Sequence, residues 1–405
     1  MNKQLIHIVI GGGAAGIFAA IRCKNINPLA RVILLEKTNQ LLAKVRISGG
    51  GRCNVTHACF DPLKLAQNYP RGSKELIGPF HHFQPKNTIS WFEEHGVTLK
   101  TESDGRMFPT TDSSETIIQC LLHAASSAGV EIRKQQKIES VQKKENRFFI
   151  QLEKEQFIAD SVLLATGSSS WGYFVAKDLG HAIVEPLPSL FTFNVPSSPL
   201  LDLSGISVSN AIVTLKDTSF KQEGPLLLTH WGFSGPAILK LSAWAARKLH
   251  DLDYKATLQI NWLASPNQEV LYQSLLQKRQ ENPLQTIPSI LPHNLLVRLC
   301  NTLHIDPATP LGKLPNKALA RLSAKLYCDA YAIEGKTTYK QEFVTAGGVD
   351  LKSIDFRTME SKMTPGLFFA GEILDIDGIT GGFNFQNAWT TAWLAGTAIG
   401  KRGSM

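Results

Sequence analysis

Residues 5–37, LIHIVIGGGAAGIFAAIRCKNINPLARVILLEK, alternate between apolar runs and a cluster of glycines. The apolar run Ile6–Ile10 predicts a buried strand, and Ala14–Asn25 predicts a helix with one apolar side. A second apolar run, Arg31–Glu36, predicts the next strand. The order of strand, glycine turn, helix and strand is typical of a βαβ unit, in which the two strands are parallel.

The glycines between the first strand and the helix have the spacing Gly11-x-Gly13-x-x-Gly16. Gly11 permits a tight turn, Gly13 lets the backbone approach a pyrophosphate, and Gly16 lets the helix pack against the strand. The amide N–H groups at the start of the helix would then face the phosphates. The pattern predicts a dinucleotide site, and the alternative is a glycine turn that serves packing alone.

An acidic residue stands at the end of the second predicted strand. Glu36 lies 20 residues after Gly16. Its carboxylate is expected to accept hydrogen bonds from both hydroxyls of the adenosine ribose, and it would repel a 2′-phosphate. The site is therefore predicted to hold FAD or NAD rather than NADP.

Residues 44–54, KVRISGGGRCN, are the first of three further segments that favour FAD. Consecutive glycines in this segment allow the backbone to come close to a pyrophosphate or a flavin. Arg52 is expected to offset phosphate charge.

The other two segments combine strand ends with glycine turns. LLATG (163–167) is a strand that runs into a tight turn, and GLFFAGE (366–372) is followed by DGITGGFN (377–384). A helix that starts near Gly382 would direct its positive end at the pyrimidine edge of the flavin and stabilise the negative charge of the reduced form.

The predicted FAD contacts come from these segments and from one residue of a β-rich stretch near 138. They are Gly11, Gly13, Ala14, Ala15, Gly16, Glu36, Lys37, Lys44, Ser48, Gly49, Gly50, Gly51, Arg52, Cys53, Asn54, Ile138, Ala165, Thr166, Gly167, Gly371, Glu372, Asp377, Gly381, Gly382, Phe383 and Asn384.

The chain has 405 residues, of which 43% are hydrophobic and 19% are charged. This length and composition predict two or three packed domains and exclude a disordered chain. The formal net charge of +8 fits an anionic partner, either dinucleotide phosphates or RNA. Because Lys and Arg are spread along the sequence, charge alone supports nucleic-acid binding only weakly.

The six cysteines form no CxxC pair and no Cys/His cluster with zinc spacing. We therefore expect free thiols, a reducing compartment and no metal site. Glycines interrupt the apolar run near the N-terminus, which argues against a signal peptide. Acidic and amide side chains within the apolar stretch 366–400 argue against a membrane span. The expected protein is soluble and cytoplasmic, with no membrane partner and no obligate protein partner.

The residues beyond about 188 have a different pattern. Segments between 189 and 265 alternate apolar and polar side chains like antiparallel strands, and residues 266–339 are mainly helical with frequent prolines. From residue 340 the chain returns to strands and glycine-rich turns. The predicted organisation is a cofactor domain of residues 1–188 and 340–405 with an insert at 189–339.

Five motifs together resemble the BaiN-like flavoproteins, also called aminoacetone-oxidase-family FAD-binding enzymes. They are VIGGGAAG (9–16), KVRISGGGRCNVT (44–56), LLATGSSS (163–170), LLLTHWGFSGPAIL (226–239) and the block from VTAGGVD to FQNAW (344–389). The resemblance covers the whole chain. It implies an α/β fold in which a Rossmann-type FAD-binding domain is interrupted by a β-barrel-like and helical insert.

The resemblance also implies reduced nicotinamide, NAD(P)H, as a transient electron donor. Flavoproteins of this type are linked to reduction of a steroid-like enone and of uridine to dihydrouridine in ribosomal RNA. Both acceptors have a carbon–carbon double bond conjugated to a carbonyl. The expected function is therefore that of an NAD(P)H-dependent FAD oxidoreductase that reduces a small enone or a uridine in ribosomal RNA.

Reduction of such an acceptor leaves negative charge on its carbonyl oxygen. The enzyme then needs a hydrogen-bond donor at that oxygen and a proton source for the neighbouring carbon. His230 is the candidate catalytic residue, because it lies in the motif THWGFSG of the predicted insert. The alternative is that His230 anchors a strand-to-helix corner, with Ser234 capping the helix that Pro236 begins.

Two other classes of function stay open. A non-enzymatic flavin-binding redox sensor or assembly factor would need the same glycine-rich segments. A thiol–disulfide oxidoreductase would use Cys53 and Cys59, although five residues separate them. That spacing differs from the redox pairs of flavin disulfide reductases.

Overall fold

The computed structural model describes residues 4–287, 291–337 and 344–402. The chain forms two compact units, of which the first comprises residues 1–187 and 344–405 and the second comprises residues 188–343. The predicted boundary at 188 lies next to the first junction. The predicted boundary at 339–340 lies outside the described residues.

The first unit contains the elements on either side of the second unit in the sequence. Its strands up to residue 189 are β1 (Ile6–Ile10), β2 (Arg31–Leu35), β3 (Thr56–His57), β4 (Leu99–Thr101), β5 (Arg106–Pro109), β6 (Glu131–Arg133), β7 (Ile138–Lys144), β8 (Arg147–Leu152), β9 (Gln156–Ala159), β10 (Ser161–Leu164) and β11 (Ile183–Ser189). Its helices there are α1 (Ala14–Ile26), α2 (Ala43–Ile47), α3 (Pro62–Ala66), α4 (Ser73–His82), α5 (Pro85–Glu94), α6 (Ser114–Ala128) and α7 (Ser170–Asp178).

The second unit begins within the strand-rich part of the sequence. Its strands are β12 (Thr192–Asn194), β13 (Ser207–Leu215), β14 (Lys221–Thr229), β15 (Gly232–Ser234), β16 (Lys255–Asn261), β17 (Asp329–Glu334) and β18 (Lys336–Thr337). Its helices are α8 (Pro236–Trp244), α9 (Ala246–Asp251), α10 (Gln268–Gln277), α11 (Pro283–Thr286), α12 (His293–Asn301) and α13 (Asn316–Tyr327). The first unit then resumes with β19 (Val344–Val349), β20 (Ile354–Asp355), β21 (Glu360–Ser361), β22 (Leu367–Phe369) and α14 (Phe383–Lys401).

The main sheet of the first unit has the strand order β20–β21–β22–β10–β1–β2–β6. The strands from β22 to β6 are parallel, and Ile10 pairs with both Leu35 and Leu164. Leu164 pairs in turn with Phe369. Because these strands run parallel and in register, β1, β2, β10 and β22 end at the same edge of the sheet.

Helices α1 and α14 pack closely against each other in the first unit. A Cβ atom at Gly396 would lie 2.5 Å from the Ala19 carbonyl oxygen, and one at Gly400 would lie 2.9 Å from the Cys23 carbonyl oxygen. Glycines at these positions of α14 therefore let the two backbones come together. This contact joins the beginning of the chain to its end.

A separate antiparallel sheet, β7–β8–β9, also belongs to the first unit. It contains the predicted β-rich stretch near residue 138. Ile138, a predicted cofactor contact, is the first residue of β7 and is buried.

The second unit is built on an antiparallel sheet with the order β17–β16–β13–β14–β15–β12–β18. Alternate side chains of β13 are buried, as expected of a strand with one covered face. Phe193, Phe233 and Trp262 lie in its core together with leucines of the helices α10 to α13.

The secondary structure of this unit differs from the predicted pattern in three places. Residues 266–339 are not helical throughout, because Asp329–Glu334 forms β17, whose side chains are alternately buried and exposed. Residues 189–265 include the helices α8 and α9. The N-cap of α8 is Gly235, with φ of +90° and no side-chain cap, so Ser234 does not cap this helix. The Ser234 hydroxyl instead accepts a hydrogen bond from Thr192 at 3.0 Å.

Candidate dinucleotide site

The shared edge of β1, β2, β10 and β22 brings together four of the segments that the sequence analysis selected. Residues 11–16 follow β1, Glu36 follows β2, residues 165–167 follow β10, and residues 370–372 follow β22. Ligands of open α/β sheets bind outside the carboxyl ends of the strands. The topology thus places these segments where a dinucleotide is expected.

The three glycines of the GxGxxG motif differ in what surrounds them. A Cβ atom at Gly11 would lie 2.3 Å from the Ala165 carbonyl oxygen, and one at Gly16 would lie 1.9 Å from the Gly11 carbonyl oxygen. A Cβ atom at Gly13 would meet nothing within 4 Å. Gly11 and Gly16 are therefore required by packing, whereas Gly13 borders open space.

The N-terminus of α1 is open to a ligand. Gly13 is the N-cap and supplies no side-chain hydrogen bond, and the first turn contains no acidic residue. Ala14 and Ala15 complete this turn with small side chains. The first N–H groups of a helix have no partner within it, so they are available to phosphate oxygens.

Glu36 is already engaged by the backbone near the strand end. Its Oε2 accepts a hydrogen bond from Gly12 N at 2.7 Å, and its Oε1 accepts from Thr38 N at 2.8 Å and from the Thr38 hydroxyl at 2.9 Å. A carboxylate has about four acceptor positions, so these bonds leave about one for a ribose hydroxyl. The contact with both hydroxyls stays a prediction, as does the one with the exposed Lys37.

The second glycine segment forms an exposed turn. Gly49, Gly50 and Gly51 have φ of 58°, 68° and 84°, and a Cβ atom at Gly50 or Gly51 would meet nothing within 4 Å. Cys53 N donates to the Ser48 carbonyl oxygen at 2.9 Å and closes the turn. The turn therefore leaves room for a ligand beside its backbone.

Arg52 lies within this segment but is paired inside the chain. Its guanidinium donates to Glu102 at 2.6 Å, lies 3.6 Å from Asp112, and sits 4.0 Å above the Phe108 ring. These carboxylates already offset its charge. A contact with phosphate stays a prediction.

The turn after β10 contains a buried hydroxyl without a partner. Ala165 N donates to the Ile10 carbonyl oxygen at 2.9 Å, and Gly167 has φ of +60°. Between them, Thr166 Oγ1 is buried and makes no hydrogen bond within the described part of the chain. Buried polar atoms are nearly always hydrogen-bonded, so this hydroxyl is suited to bond a cofactor.

The turn after β22 carries an ion pair between distant segments. Glu372 pairs with Lys44 and also accepts a hydrogen bond from Thr345 N at 3.2 Å. Gly371, with φ of +76°, donates from its N–H to the Thr391 hydroxyl at 2.9 Å. This network fixes the turn against α2 and α14.

Asp377 is fully buried and forms an ion pair with both ends of the Arg71 guanidinium. Removing one member of a buried pair leaves a buried charge without compensation. Asp377 therefore holds the segment that leads into α14, and Arg71 is a residue that the sequence analysis did not select.

The N-terminus of α14 lies after Gly381 and Gly382, which have φ of 134° and 91°. In the amide orientation that satisfies both neighbours, Asn54 accepts from Gly382 N at 3.0 Å and donates to the Thr56 carbonyl oxygen at 3.0 Å. Asn384 closes the preceding loop through two 2.9 Å hydrogen bonds with the Gly378 backbone. The second and last glycine segments are thus adjacent.

Two side chains near this helix start add features that the sequence did not reveal. The His57 ring stacks on Phe383 with a centroid distance of 4.7 Å. Asn387, in the second turn of α14, is buried, and its Oδ1 has no hydrogen-bond partner among residues the structure describes.

These features fit FAD. Open space beside Gly13 and Gly50 gives room for a pyrophosphate or a flavin, and Thr166 and Asn387 offer buried polar atoms that await partners. The first turns of α1 and α14 contain no acidic residue, so both helix N-termini favour a negatively charged ligand.

His230 belongs to the second unit. It is exposed in the turn between β14 and β15, next to Trp231, which is 42% exposed. The turn precedes β15 and not a helix, so His230 does not occupy a strand-to-helix corner. Its catalytic role stays a prediction.

The structure contains no disulfide among the cysteines, all of which are free. Burial raises the pKa of the Cys53 thiol to about 12, and burial also raises the pKa of Cys59. Reactive thiols have a lowered pKa. Neither cysteine has the environment of a redox pair.

The described helices include none that is both long enough and apolar enough to cross a bilayer.

Comparison with known families and proteins agrees with this fold. The family described as HI0933-like protein Rossmann domain matches residues 6–398. The chain is 30% identical to the ribosomal RNA dihydrouridine synthase of Escherichia coli K12, with 95% of this chain and 96% of that protein covered. It is 26% identical to the 3-dehydro-bile acid delta(4,6)-reductase of Clostridium scindens, with 97% and 98% covered.

Among solved structures, the 3-ketosteroid-delta4-(5alpha)-dehydrogenase of Rhodococcus jostii RHA1, in complex with 4-androstene-3,17-dione, is similar with a TM-score of 0.53. The sequences are 14% identical, and the match covers 99% of this chain and 98% of that one. This likeness concerns the fold. The predicted fold class, a Rossmann FAD-binding domain interrupted by an insert, is confirmed.

Proposed function

The chain belongs to the HI0933-like Rossmann family, and on this basis we propose that it is an FAD-dependent oxidoreductase that uses NAD(P)H to reduce a carbon–carbon double bond conjugated to a carbonyl. Uridine in ribosomal RNA is the first acceptor to test, and a small enone is the second.

One observation carries the proposal. The chain matches, over nearly its whole length, relatives named for two different reductions, one of ribosomal RNA and one of a 3-dehydro-bile acid. The acceptors differ in size and charge but share a double bond conjugated to a carbonyl. The common chemistry is therefore the best-supported activity for this chain, and the redox-sensor alternative has no comparable support.

The residues of the first unit have distinct parts in this proposal. Bound FAD supplies the hydride. The N-terminus of α1, next to Gly13, holds the pyrophosphate, and Glu36 accepts a hydrogen bond from the ribose. The N-terminus of α14, after Gly382, would stabilise negative charge on the reduced flavin. Lys44 and Glu372 fix the turn after β22.

The acceptor needs a donor at its carbonyl oxygen and a proton for the neighbouring carbon. His230 is the proposed proton donor. Its motif belongs to the second unit and contributes none of the predicted FAD contacts, which is the reason for assigning it to the acceptor.

The purified protein tests the proposal directly. We expect noncovalent FAD, rapid anaerobic bleaching of the flavin by NADH or NADPH, and reoxidation by an enone or a uridine-containing ribosomal RNA. In cells, deletion of the gene should remove a dihydrouridine from ribosomal RNA, detected by mass spectrometry, and the wild-type gene should restore it. FMN in place of FAD, or flavin that no conjugated acceptor reoxidises, would contradict the proposal.

The role of His230 is tested by measuring the two half-reactions separately. His230→Ala should leave FAD content and flavin reduction as in the wild type and slow reoxidation by the conjugated acceptor, by on the order of 100-fold if His230 is the acid. Trp231→Ala in the same turn is the matched control for disturbance of the hairpin. Equal reoxidation rates for the wild type and His230→Ala would assign the proton donor elsewhere.

A further inference from the structure

Four exposed cationic side chains lie close together in the helical part of the second unit. Some are neighbours in sequence, and the others are brought together by a backbone hydrogen bond. We name Arg279, Lys313, Lys317 and Arg321 the basic strip. The Arg279 carbonyl accepts a hydrogen bond from Gly312 N at 2.9 Å, which places Arg279 beside Lys313. Lys317 and Arg321 are one turn apart on α13, whose first residue is three positions after Lys313. All four residues are exposed.

The side chains of the basic strip on α13 face solvent. Leu319, Leu322 and Leu326 of α13 are buried in the core of the second unit. At 3.6 residues per turn, Lys317 and Arg321 fall on the opposite side of the helix. The apolar side of α13 is thus used for folding, and its basic side faces solvent.

The charges of the strip are not neutralised within the chain. Residues 268–327 contain seven Lys and Arg but three Asp and Glu. Glu281 is engaged with Lys278 at 3.6 Å, and Asp306 bonds the backbone N–H of Ala308 at 3.0 Å. No ion pair joins any of the four strip cations to a carboxylate in the described residues.

The contrast with the arginines of the first unit is informative. Arg31, Arg46, Arg52, Arg71, Arg106, Arg133, Arg357 and Arg402 all have a carboxylate partner within ion-pair distance. Surface arginines in this chain are therefore usually paired. Four adjacent cations without a described carboxylate partner create a local positive potential that attracts an anion with repeated charges.

We propose that the basic strip binds the phosphate backbone of an RNA substrate. This inference rests on the proposed function, because a uridine in RNA reaches the reaction site only while the rest of the RNA is held by the protein. Phosphate contacts supply affinity and orientation without reading sequence. A membrane surface fits the strip less well, because membrane-bound helices also expose large apolar side chains, and those of α13 are buried.

The proposal is tested on the FAD-loaded protein. Fluorescence anisotropy measures the binding of a labelled RNA stem-loop, with uridines in its loop, at several KCl concentrations. The strip variant is R279Q/K313Q/K317Q/R321Q. The matched control, K134Q/K154Q/K177Q/K352Q, removes the same charge from exposed lysines of the first unit. FAD content and unfolding temperature verify that both variants fold.

We expect the strip variant to bind RNA more weakly by on the order of 10²–10³-fold near 0.1 M salt, with the slope of log K against log salt reduced by about 3 to 4. The control variant should stay within about threefold of the wild type, because its lysines contact no RNA. Wild-type affinity in the strip variant, or equal losses in both variants, would overturn the inference. So would loss of binding to phosphatidylglycerol vesicles with RNA binding unchanged.

A separate measurement distinguishes this inference from the proposed function. Flavin reoxidation by a small enone does not require RNA. If no conjugated acceptor reoxidises the flavin, the proposed function fails, and the RNA affinities of the two variants still decide whether the strip binds RNA.

Discussion

The glycines at 11–16 and those at 49–51 both border the candidate FAD site, but they are required for different reasons. In the first cluster, a Cβ atom at Gly11 or Gly16 would overlap backbone oxygen atoms at 2.3 and 1.9 Å. In the second cluster, Gly50 and Gly51 have open space around them, and their positive φ is the only demand on the residue. Overlap with the backbone excludes every residue except glycine. A positive φ allows other residues, but at an energetic cost.

Gly16→Ala gives the strongest test of the steric demand. The added methyl group would overlap the Gly11 carbonyl oxygen, so α1 must move away from β1. We expect the free energy of unfolding to fall by about 4 kcal/mol or more, which is the range of exceptional substitutions. Chemical denaturation monitored by circular dichroism measures this loss. A fall below about 1 kcal/mol would show that packing does not require this glycine.

Gly13→Ala separates ligand space from packing in the same motif. Gly13 has φ of −83°, which any residue adopts, and a Cβ atom there meets nothing within 4 Å. Stability of the apoprotein should change by no more than about 0.5 kcal/mol. FAD affinity should fall by on the order of 10²–10³-fold, or about 3 to 4 kcal/mol, because the methyl group enters the space for the pyrophosphate. Unchanged affinity in a flavin titration would place the pyrophosphate elsewhere.

Glu36→Ala tests the strand end beside the first cluster. The ribose loses a charge-assisted acceptor, so FAD affinity should fall by about 1.5 to 3 kcal/mol. The apoprotein should still fold, because the side chain lies at the end of β2. Thr38→Ala is the matched control, since it removes one internal partner of Glu36 and keeps the carboxylate. If Thr38→Ala weakens FAD binding as much as Glu36→Ala, the effect comes from the loop and not from the ribose contact.

Gly50→Ala tests the conformational demand of the second cluster. Alanine at φ of 68° should cost about 1 to 2 kcal/mol of stability without a steric clash. Gly50→Asn should cost less, because asparagine tolerates the left-handed region. Thermal unfolding of both variants measures the difference. Equal losses for alanine and asparagine would mean that the side chain meets an obstacle and that the two clusters are alike.

The smallest effect is expected at the cysteines next to the second cluster. Burial raises the pKa of Cys53 to about 12 and also raises that of Cys59, so both thiols are protonated at neutral pH. Cys59→Ser should leave the rate of flavin reduction by NAD(P)H unchanged, as measured by stopped-flow absorbance. Loss of both turnover and a charge-transfer band in Cys59→Ser would restore the disulfide mechanism.

The first cluster was accessible to sequence analysis because its structure is local. The strand, the glycine spacing and Glu36 lie within a single βαβ unit. The spacing of the glycines is enough to predict why each position needs glycine. The ion pair of Arg52 could not be predicted in the same way, because its partner Glu102 is 50 residues away. The pair of Lys44 and Glu372 joins positions 328 residues apart. Such pairs depend on strand order, which the sequence alone did not provide.

The second unit shows the same limit at the level of elements. Strand β17 directly follows α13. Because its alternation of buried and exposed residues is short, the sequence pattern predicted it as part of the helical stretch. Arg71 lies outside the five motifs, and Asn387 lies within the last motif block without any pattern that distinguishes it from its neighbours. The ion pair of Arg71 and the buried amide of Asn387 become visible only when α14 is placed against the first part of the chain.

The close packing of α14 on α1 has a consequence for biosynthesis. A ribosome adds roughly 5 to 20 residues per second and releases the N-terminal part first, so α1 leaves the ribosome long before Gly396 exists to cover it. The second unit, in contrast, is continuous in sequence and can fold while the first unit still lacks its last helix. The nascent chain must therefore keep the apolar side of α1 from aggregating until α14 has been translated. The part of the candidate FAD site that α14 contributes is also absent until that helix has been translated.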